Sequence, residues 1–275
     1  MTMTSLQKTK MIINQNNSSY YNFADKEKLN IGSGMRNWEN WLCYDELDAK
    51  GVTKVKFDEN VQFPNKDNSI SLFYSSHFFE HASDKVIWKI LSEMKRTAIS
   101  DALFVLKIPD FSWFLEQHKF SIEESIKNKG VEQMIWSWNS NGVEDTFDNR
   151  LAMMFCGYWN NDYGDHFSGH VNYTSKTAFH GPPKVSSSEL KKIFSLNSPH
   201  KIAKELVGHA LKDSNLKTFN HRNAWSKKEI TDLLSEFSFK IIDDSAQSIC
   251  DKFIETIPDI ESIRDWSSYY LFKSI

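Results

Sequence analysis

The sequence predicts an α/β protein in which a mostly parallel β-sheet is interrupted by one long insertion. Three observations predict this class. Short apolar segments that end at glycine or acidic residues alternate with turns through the first third of the chain. An amphipathic helix then leads into a strongly apolar segment, which is the order of a strand–helix–strand crossover. The regular pattern is lost from Asp110 to Trp225 and returns at Ser226.

Four strands are predicted before the helix, because each segment is short and either apolar or alternating. They are KLNIG (28–32), NWLCYDE (40–46), VTKVKF (52–57) and SISLFYS (69–75).

The predicted helix begins after Ser83, a residue type that caps helix N-termini. Its apolar residues recur at i, i+3, i+4 and i+7, so they share one face. They are Ile87, Ile90, Leu91 and Met94. The apolar segment DALFVLKIP (101–109) follows and predicts a buried fifth strand.

The end of the chain predicts a further helix and two strands. The segment SKKE (226–229) has the pattern of a capping box, and an amphipathic face follows it. The segments FKIIDDSAQSI (239–249) and DWSSYYLFKSI (265–275) are predicted as strands. Inside the insertion, Ser186 and Glu189 predict a capped helix over 187–195.

Composition and charge exclude several function classes. The net charge of -3 gives no basic field for nucleic acid, and the apolar runs are too short to span a membrane. Three widely separated cysteines form no zinc-binding pair, which favours a reduced, cytoplasmic protein. The oligomeric state is left open.

Glycines at positions 32 and 34 directly follow the first strand, and they allow either a plain tight turn or close approach of a ligand. The third glycine of a dinucleotide fingerprint is missing, since Asn37 stands there. Asp45 ends the second strand and Asp58 follows the third. With YSSHFFEH (74–81) after the fourth strand, these groups predict one crevice at the carboxyl edge of the sheet.

The succession LNIGSG, CYDE, FDENVQFPNKDNSISLFYSSHFFEH, LSEMKR and ALFVLKIPDF resembles the S-adenosylmethionine-dependent methyltransferases of the Rossmann-like class, in particular the type 11 branch. The resemblance covers roughly residues 28–111, and the 226–275 segment is similar to the last helix and strands of that family. It implies a seven-stranded, mostly parallel sheet with an antiparallel C-terminal hairpin, and S-adenosylmethionine as the cofactor.

The resemblance also implies a role for each matching residue. Gly32, Ser33 and Gly34 would form the turn against the methionine part of the cofactor. Asp45 would bind the ribose hydroxyls, with Glu46 as a substitute, and Asp58 would lie near the adenine. The residues expected to line the floor beside the methyl group are Ser75, Ser76 and His77.

Residues 111–225 would form a substrate cap between the two parts of a cofactor-binding domain, 28–110 and 226–275, with residues 1–27 as an N-terminal arm. Tyr163, Asp165 and His166 are candidates for an acceptor-side base, although a solvated loop would have the same composition. Aromatic residues of the insertion could stack a sugar or form its own core. They are Trp136, Trp138, Tyr158 and Trp159.

The function predicted from these features is methyl transfer to an oxygen or nitrogen atom of a small molecule, with a sugar or nucleotide-sugar as the acceptor by analogy. No metal is needed for this chemistry, and no metal site is predicted; Glu80 and His81 are expected to pin the start of the helix by hydrogen bonds. A nicotinamide-dependent oxidoreductase and a non-catalytic binding protein with a degenerate methyltransferase fold are the alternatives.

Overall fold

The computed structural model of the protein describes residues 21, 23, 26–117, 155, 185–212, 221–260, 263 and 266–275. The elements in chain order are β1 (Glu27–Ile31), β2 (Leu42–Asp45), β3 (Thr53–Lys54), β4 (Ile70–Ser76), a 3-10 helix (Phe79–His81), α1 (Asp84–Thr97), β5 (Ala98–Pro109), α2 (Phe111–Gln117), α3 (Ser187–Phe194), α4 (Pro199–Lys212), α5 (Lys227–Glu236), β6 (Phe239–Asp243), α6 (Ala246–Phe253) and β7 (Ser267–Ser274). None of the described helices has the length and hydropathy that crossing a bilayer requires.

The strands form one seven-stranded sheet in the order β3-β2-β1-β4-β5-β7-β6. The neighbours from β3 to β5 run parallel. Strand β7 lies between β5 and β6 and runs antiparallel to both. The predicted fold class, a mostly parallel seven-stranded sheet with antiparallel C-terminal strands, is therefore confirmed.

The prediction of one strand over 239–249 was wrong in its second half. Strand β6 ends at Asp243, and α6 begins at Ala246 with Ser245 as the N-cap that accepts a hydrogen bond from the Ser248 N–H. The apolar residues after the cap follow helical spacing, and Ile249, Cys250 and Phe253 are all buried in the structure. Strands β6 and β7 are consequently joined through a helix rather than through a tight turn.

A serine precedes α1, α3 and α5, but not every one of these serines forms a capping hydrogen bond with its side chain. Ser226 and Glu229 form the predicted capping box at α5. Ser186 accepts from the Glu189 N–H at α3. Ser83 is the N-cap of α1, but its side chain makes no capping hydrogen bond to the described residues. Position alone thus marks the start of α1, while side-chain capping stabilises α3 and α5.

Both faces of the sheet are buried, and side chains alternate between them with the period of a strand. On one face, Phe73 and Phe104 pack with α1 and α5. On the other face, Leu72 and Val105 pack with α6. Cys43 belongs to this second core at 1% exposure, and burial raises the pKa of its thiol.

The connection from β1 to β2, residues 32–41, contains no helix. Two tryptophans take the place of a helix over this part of the sheet. Trp38 and Trp41 pack edge to face at 5.3 Å between ring centroids, and both contact Tyr74 of β4. The Trp41 indole also donates to the Thr256 carbonyl at 3.2 Å, which ties this connection to the segment after α6.

Arg96, near the end of α1, organises the loop before β4. Its guanidinium donates to the carbonyls of Phe63 and Asn65, each at 3.0 Å, and to the Glu93 carboxylate. Glu93 in turn accepts from the Phe63 N–H at 2.8 Å. Burial alone would raise the pKa of Glu93, but the bonds from Arg96 and Phe63 outweigh it and lower the pKa.

We expect Glu93→Gln to lower the free energy of unfolding by about 1–3 kcal/mol at pH 7, because Arg96 loses the more buried of its two carboxylate partners, Glu93 and Asp67. A lowered folded-state pKa contributes stability above the ordinary value near ~4.3, and this contribution is lost as pH falls through the folded pKa. The difference between the two proteins in urea denaturation should therefore shrink on acidification from about pH 5.

Asp232→Asn is the matched control, because Asp232 pairs with Lys228 at the exposed surface of α5. Its unfolding free energy should stay close to that of the unsubstituted protein. A Glu93→Gln protein as stable as this control would contradict the role assigned to Glu93.

Candidate functional site

The carboxyl ends of β1, β2 and β4 are in register. Ile31 pairs with Tyr44 of β2 on one side and with Ser75 of β4 on the other. The next position on each strand brings Gly32, Asp45 and Ser76 side by side at one edge of the sheet. We call the space at this edge the strand-end crevice. Open α/β sheets bind their ligands at such an edge.

The glycine turn closes one side of the strand-end crevice. Gly32 and Gly34 have φ values of 71° and 62°, in the left-handed region where glycine has no steric cost. The N–H groups of Gly32 and Ser33 both donate to the Tyr44 carbonyl, at 2.9 and 3.1 Å. The turn is thereby fastened to β2 by two backbone hydrogen bonds.

Asp45 faces the same turn from the end of β2. Its Oδ2 accepts from the Gly34 N–H at 2.7 Å, and its Oδ1 accepts from the Leu47 N–H at 2.9 Å. An ionised carboxylate has about four lone-pair positions. Each oxygen therefore keeps acceptor capacity for a further donor, such as one of two neighbouring hydroxyls on a ligand.

Phe78 forms a wall behind the glycine turn. A Cβ atom placed on Gly32 would lie 2.1 Å from Cγ of the Phe78 ring, so only glycine fits at this position. Phe57, from the loop after β3, packs against Phe78 at 4.6 Å between ring centroids. This pair brings the loop that carries Asp58 toward the glycine turn.

Asp58 and Ser75, both predicted to bind the cofactor, have side chains that are hydrogen-bonded within the protein. Asp58 accepts from Lys56 Nζ at 2.7 Å and from the Asn60 N–H at 2.8 Å, and the Lys56 contact leads the lowering of its pKa. Ser75 is fully buried and donates to the Ile31 carbonyl at 3.0 Å. Ser33 is also buried, whereas Ser76 is half-buried at the end of β4. Ser75 therefore supports the floor of the strand-end crevice from inside the sheet.

His77 is held firmly at the end of β4. Its Nδ1 lies 3.1 Å from Glu80 Oε1, and its Nε2 lies 3.0 Å from Ser267 Oγ at the start of β7. Its backbone has a φ of 52°, and its N–H donates to the Lys107 carbonyl. His77 thus joins β4, β5 and β7 at the edge of the sheet.

Glu80 is completely buried beneath His77. Burial alone would raise its pKa, but the hydrogen bond from His77 and the nearby His77, His81 and His221 lower it overall. The sequence predicted that the Glu80 side chain would pin the start of α1. Its carboxylate turns toward His77 instead. The backbone carbonyl of Glu80 accepts from the N–H groups of Arg222 and Asn223, at 2.6 and 3.0 Å.

Two features of this site could not be predicted from the sequence. Phe78 and Ser267 have no motif of their own, and only their contacts with Gly32 and His77 reveal them. His77 and His81 are four residues apart, which is the spacing of neighbours on one face of an α-helix. They share no such face, because His77 is left-handed and the 3-10 helix begins two residues later.

The candidates for an acceptor-side base, Tyr163, Asp165 and His166, lie outside the described residues. The aromatic residues of the insertion lie outside them as well; these are Trp136, Trp138, Tyr158 and Trp159.

A cavity of about 270 Å³ is present elsewhere, at the opposite edge of the sheet. Its lining includes Ser71 near the start of β4 and Ile99 and Asp101 in the first part of β5. Apolar residues, among them Phe23 and Leu103, also line it. The strand-end crevice is the better candidate because parallel sheets present their helix and turn N–H groups at the carboxyl edge.

No family model matches the chain, and no curated protein matches its sequence. Among solved structures, an S-adenosylmethionine-dependent methyltransferase from Mesorhizobium loti is 10% identical with a TM-score of 0.38, covering 90% of this chain and 90% of that one. A protein of Haloferax volcanii, solved in complex with the methyltransferase activator Trm112, is 9% identical with a TM-score of 0.36, covering 90% and 82%.

A third structure, an S-adenosylmethionine-dependent methyltransferase from Aquifex aeolicus, is 19% identical over 37% of this chain and 64% of that one, with a TM-score of 0.25. The fold is identified by the strand order of the sheet and by the antiparallel direction of β7. The fold is the Rossmann-like methyltransferase fold.

The two glycines of the turn provide a matched test of the packing at this site. We expect Gly32→Ala to lower the free energy of unfolding by about 2–4 kcal/mol, since it combines left-handed strain with a clash against Phe78. Gly34→Ala should cost only about 1–2 kcal/mol, because its Cβ would meet open space. Urea denaturation of both variants measures the difference, and equal losses would contradict the close approach of Phe78.

Proposed function

We propose that this protein transfers the methyl group of S-adenosylmethionine to an oxygen or nitrogen atom of a small molecule. The observation that carries the proposal is the position of Asp45. Its carboxylate ends β2 and lies against the glycine turn that ends β1, within a sheet of the Rossmann-like methyltransferase order. This arrangement offers a paired acceptor for ribose hydroxyls beside a turn that a ligand can approach closely.

In this proposal the cofactor lies along the strand-end crevice. The turn of Gly32, Ser33 and Gly34 would contact the methionine part, and Asp45 would accept hydrogen bonds from the ribose hydroxyls. Asp58 would lie near the adenine. Residues Ser76 and His77 would form the floor near the transferable methyl group, with Ser75 supporting them from within the sheet.

The protein does not have to activate the methyl group, because a methyl group on a sulfonium cation is already reactive toward nucleophiles. Transfer is an in-line displacement in which the acceptor atom forms a bond to the methyl carbon as the carbon–sulfur bond breaks. Positioning of the two reactants then contributes most of the acceleration. A base is needed only where the acceptor has to lose a proton.

His77 is suited to a fixed position rather than to proton transfer. Both of its ring nitrogens already lie within hydrogen-bond distance of protein groups, Glu80 on one side and Ser267 on the other. Accepting a proton from an acceptor would require it to give up the Ser267 contact. The base is therefore assigned to the insertion, where Tyr163, Asp165 and His166 remain the candidates.

The insertion, residues 111–225, would act as the substrate cap between 28–110 and 226–275. An enclosed cap suits a small acceptor better than a polymer, and a sugar or nucleotide-sugar is the acceptor class suggested by analogy alone. The beginning and end of the insertion pack against the core. Phe111 is fully buried, and Trp225 lies in the same core cluster as α1 and α5.

The first test is calorimetric titration with S-adenosylhomocysteine, with NAD as a parallel ligand. We expect micromolar binding of S-adenosylhomocysteine only. Asp45→Asn should weaken this binding at least about tenfold, because one acceptor oxygen for the ribose is replaced by a donor. Asp48→Asn is the matched control, since Asp48 lies three residues away with a 90% exposed side chain.

Binding of NAD in place of S-adenosylhomocysteine would favour the oxidoreductase alternative. Equal affinity in the Asp45→Asn and Asp48→Asn variants would refute the ribose role of Asp45. The melting temperature of each variant shows whether the fold is retained.

A second test addresses the insertion. Sugars and nucleotide-sugars are screened as acceptors with methyl-labelled S-adenosylmethionine. For an acceptor found in this way, His166→Ala should lower kcat by about 10²–10⁴, the usual contribution of a general base. Its affinity for S-adenosylhomocysteine should stay the same. His170→Ala serves as the control, and an equal loss of kcat in both variants would contradict a specific role for His166.

A further inference from the structure

We infer that Glu80, His81 and His221 form a binding site for a single Zn²⁺ ion. One ligand atom from each of these residues lies within 4.8 Å of the other two. Two imidazoles and one carboxylate are a common protein ligand set for zinc, which then takes water or another group as a fourth ligand. The inference is independent of the proposed methyl transfer.

The strongest indication is the unsatisfied carboxylate oxygen of Glu80. Its Oε1 is occupied by His77, but its Oε2 is buried and has no hydrogen-bond partner among the described residues. A buried carboxylate oxygen without a partner costs substantial free energy, so such atoms are rare in folded proteins. A cation bound at Oε2 would remove this cost.

The residues around Oε2 are suited to a transition metal rather than to a simple ion pair. The only ion pair of Glu80 among the described residues is with His77, and no lysine or arginine reaches it there. The imidazole nitrogen of a histidine is a common zinc ligand. Nitrogen donors also favour zinc over magnesium, which prefers oxygen ligands.

The site is already assembled by contacts that do not involve the ion. The N–H groups of Arg222 and Asn223 donate to the Glu80 carbonyl, which places the adjacent His221 against the 3-10 helix. The Asn223 side chain donates to the Ala82 carbonyl at 2.7 Å and accepts from Lys204 Nζ at 2.6 Å. The rings of His81 and His221 consequently lie 4.8 Å apart between centroids.

Only a small adjustment separates this arrangement from a coordinated one. Zinc–nitrogen and zinc–oxygen bonds of about 2.0–2.2 Å place tetrahedral ligand atoms about 3.3–3.5 Å apart. The ligand atoms of Glu80, His81 and His221 lie within 4.8 Å of one another, so they need to approach by at most about 1–1.5 Å to reach this spacing. The bond between His77 and Glu80 Oε1 would then orient the carboxylate from outside the coordination shell, as is usual for metal ligands.

The consequence for the protein is a clamp between distant parts of the chain. Glu80 and His81 follow β4, whereas His221 belongs to the segment that returns from the insertion to α5. An ion bound to all three would fasten this return to the edge of the sheet beside His77. This differs from the expectation from sequence, in which no metal site was predicted.

The test is zinc binding by the full chain after removal of metals with a chelator and dialysis. Titration of Zn²⁺ in competition with a chromophoric chelator should show one zinc ion bound per chain. In His221→Ala the affinity for zinc should be at least about tenfold lower. His200→Ala is the control, since His200 pairs with Asp84 outside the cluster and should leave binding unchanged. Zinc should raise the melting temperature of the control but not of His221→Ala, and Mg²⁺ should have no effect on either.

Glu80→Gln provides a second variant that keeps the shape of the side chain and removes its charge. It should also weaken zinc binding while the protein stays folded by circular dichroism. Absence of zinc binding in the unsubstituted protein would overturn the inference. Binding that persists unchanged in His221→Ala would also overturn it, because the ion would then lie at other residues of the chain.

Discussion

The hydrogen bond from the Gly34 N–H to the Asp45 carboxylate, 2.7 Å long, is the interaction on which the candidate site depends. It requires the chain to turn back toward β2 immediately after β1, and the left-handed glycines allow this. Phe78 then packs where a side chain on Gly32 would be, and it brings the end of β4 against the same turn. Three strand ends are thereby held at fixed separations around one crevice.

The sheet is covered beside β1 and β2 by a short loop instead of a helix. The connection between β1 and β2 has no helix, and Trp38 and Trp41 cover the apolar face that a helix would otherwise bury. Large aromatic side chains bury much area per residue, so a short loop can close this part of the core. Part of the high aromatic content of the sequence, 14%, thus lies in the described core.

The turn that follows β4 differs from the rest of the carboxyl edge of the sheet because it contains a buried charged group. A fully buried carboxylate, Glu80, is surrounded by imidazole groups and receives the chain as it returns from the insertion. His77 connects this turn to the strand-end crevice and to Ser267 of β7. Any change at Glu80 should therefore reach both the return of the insertion and the floor of the crevice.

Much of the fold was determined by local sequence. Short apolar or alternating segments predicted most strands, because the sheet is buried on both faces. The spacing of Ile87, Ile90, Leu91 and Met94 predicted α1, because this helix buries one face. The order of glycine turn and acidic strand ends was sufficient to place Gly32, Gly34 and Asp45 at one edge. The segment after Asp243 was misassigned because a short apolar run that includes a serine cap fits a strand and a helix equally well.

Other features were decided only by tertiary structure. That Phe78 excludes a side chain at Gly32, that Ser75 is turned inward, and that Ser267 meets His77 all depend on distant residues. Glu80 and His81 lie close to His221, about 140 positions later in the chain. No periodic pattern in the sequence predicts this contact. Local sequence reports which face of an element is buried, whereas contacts between side chains distant along the chain exist only once the chain has folded back on itself.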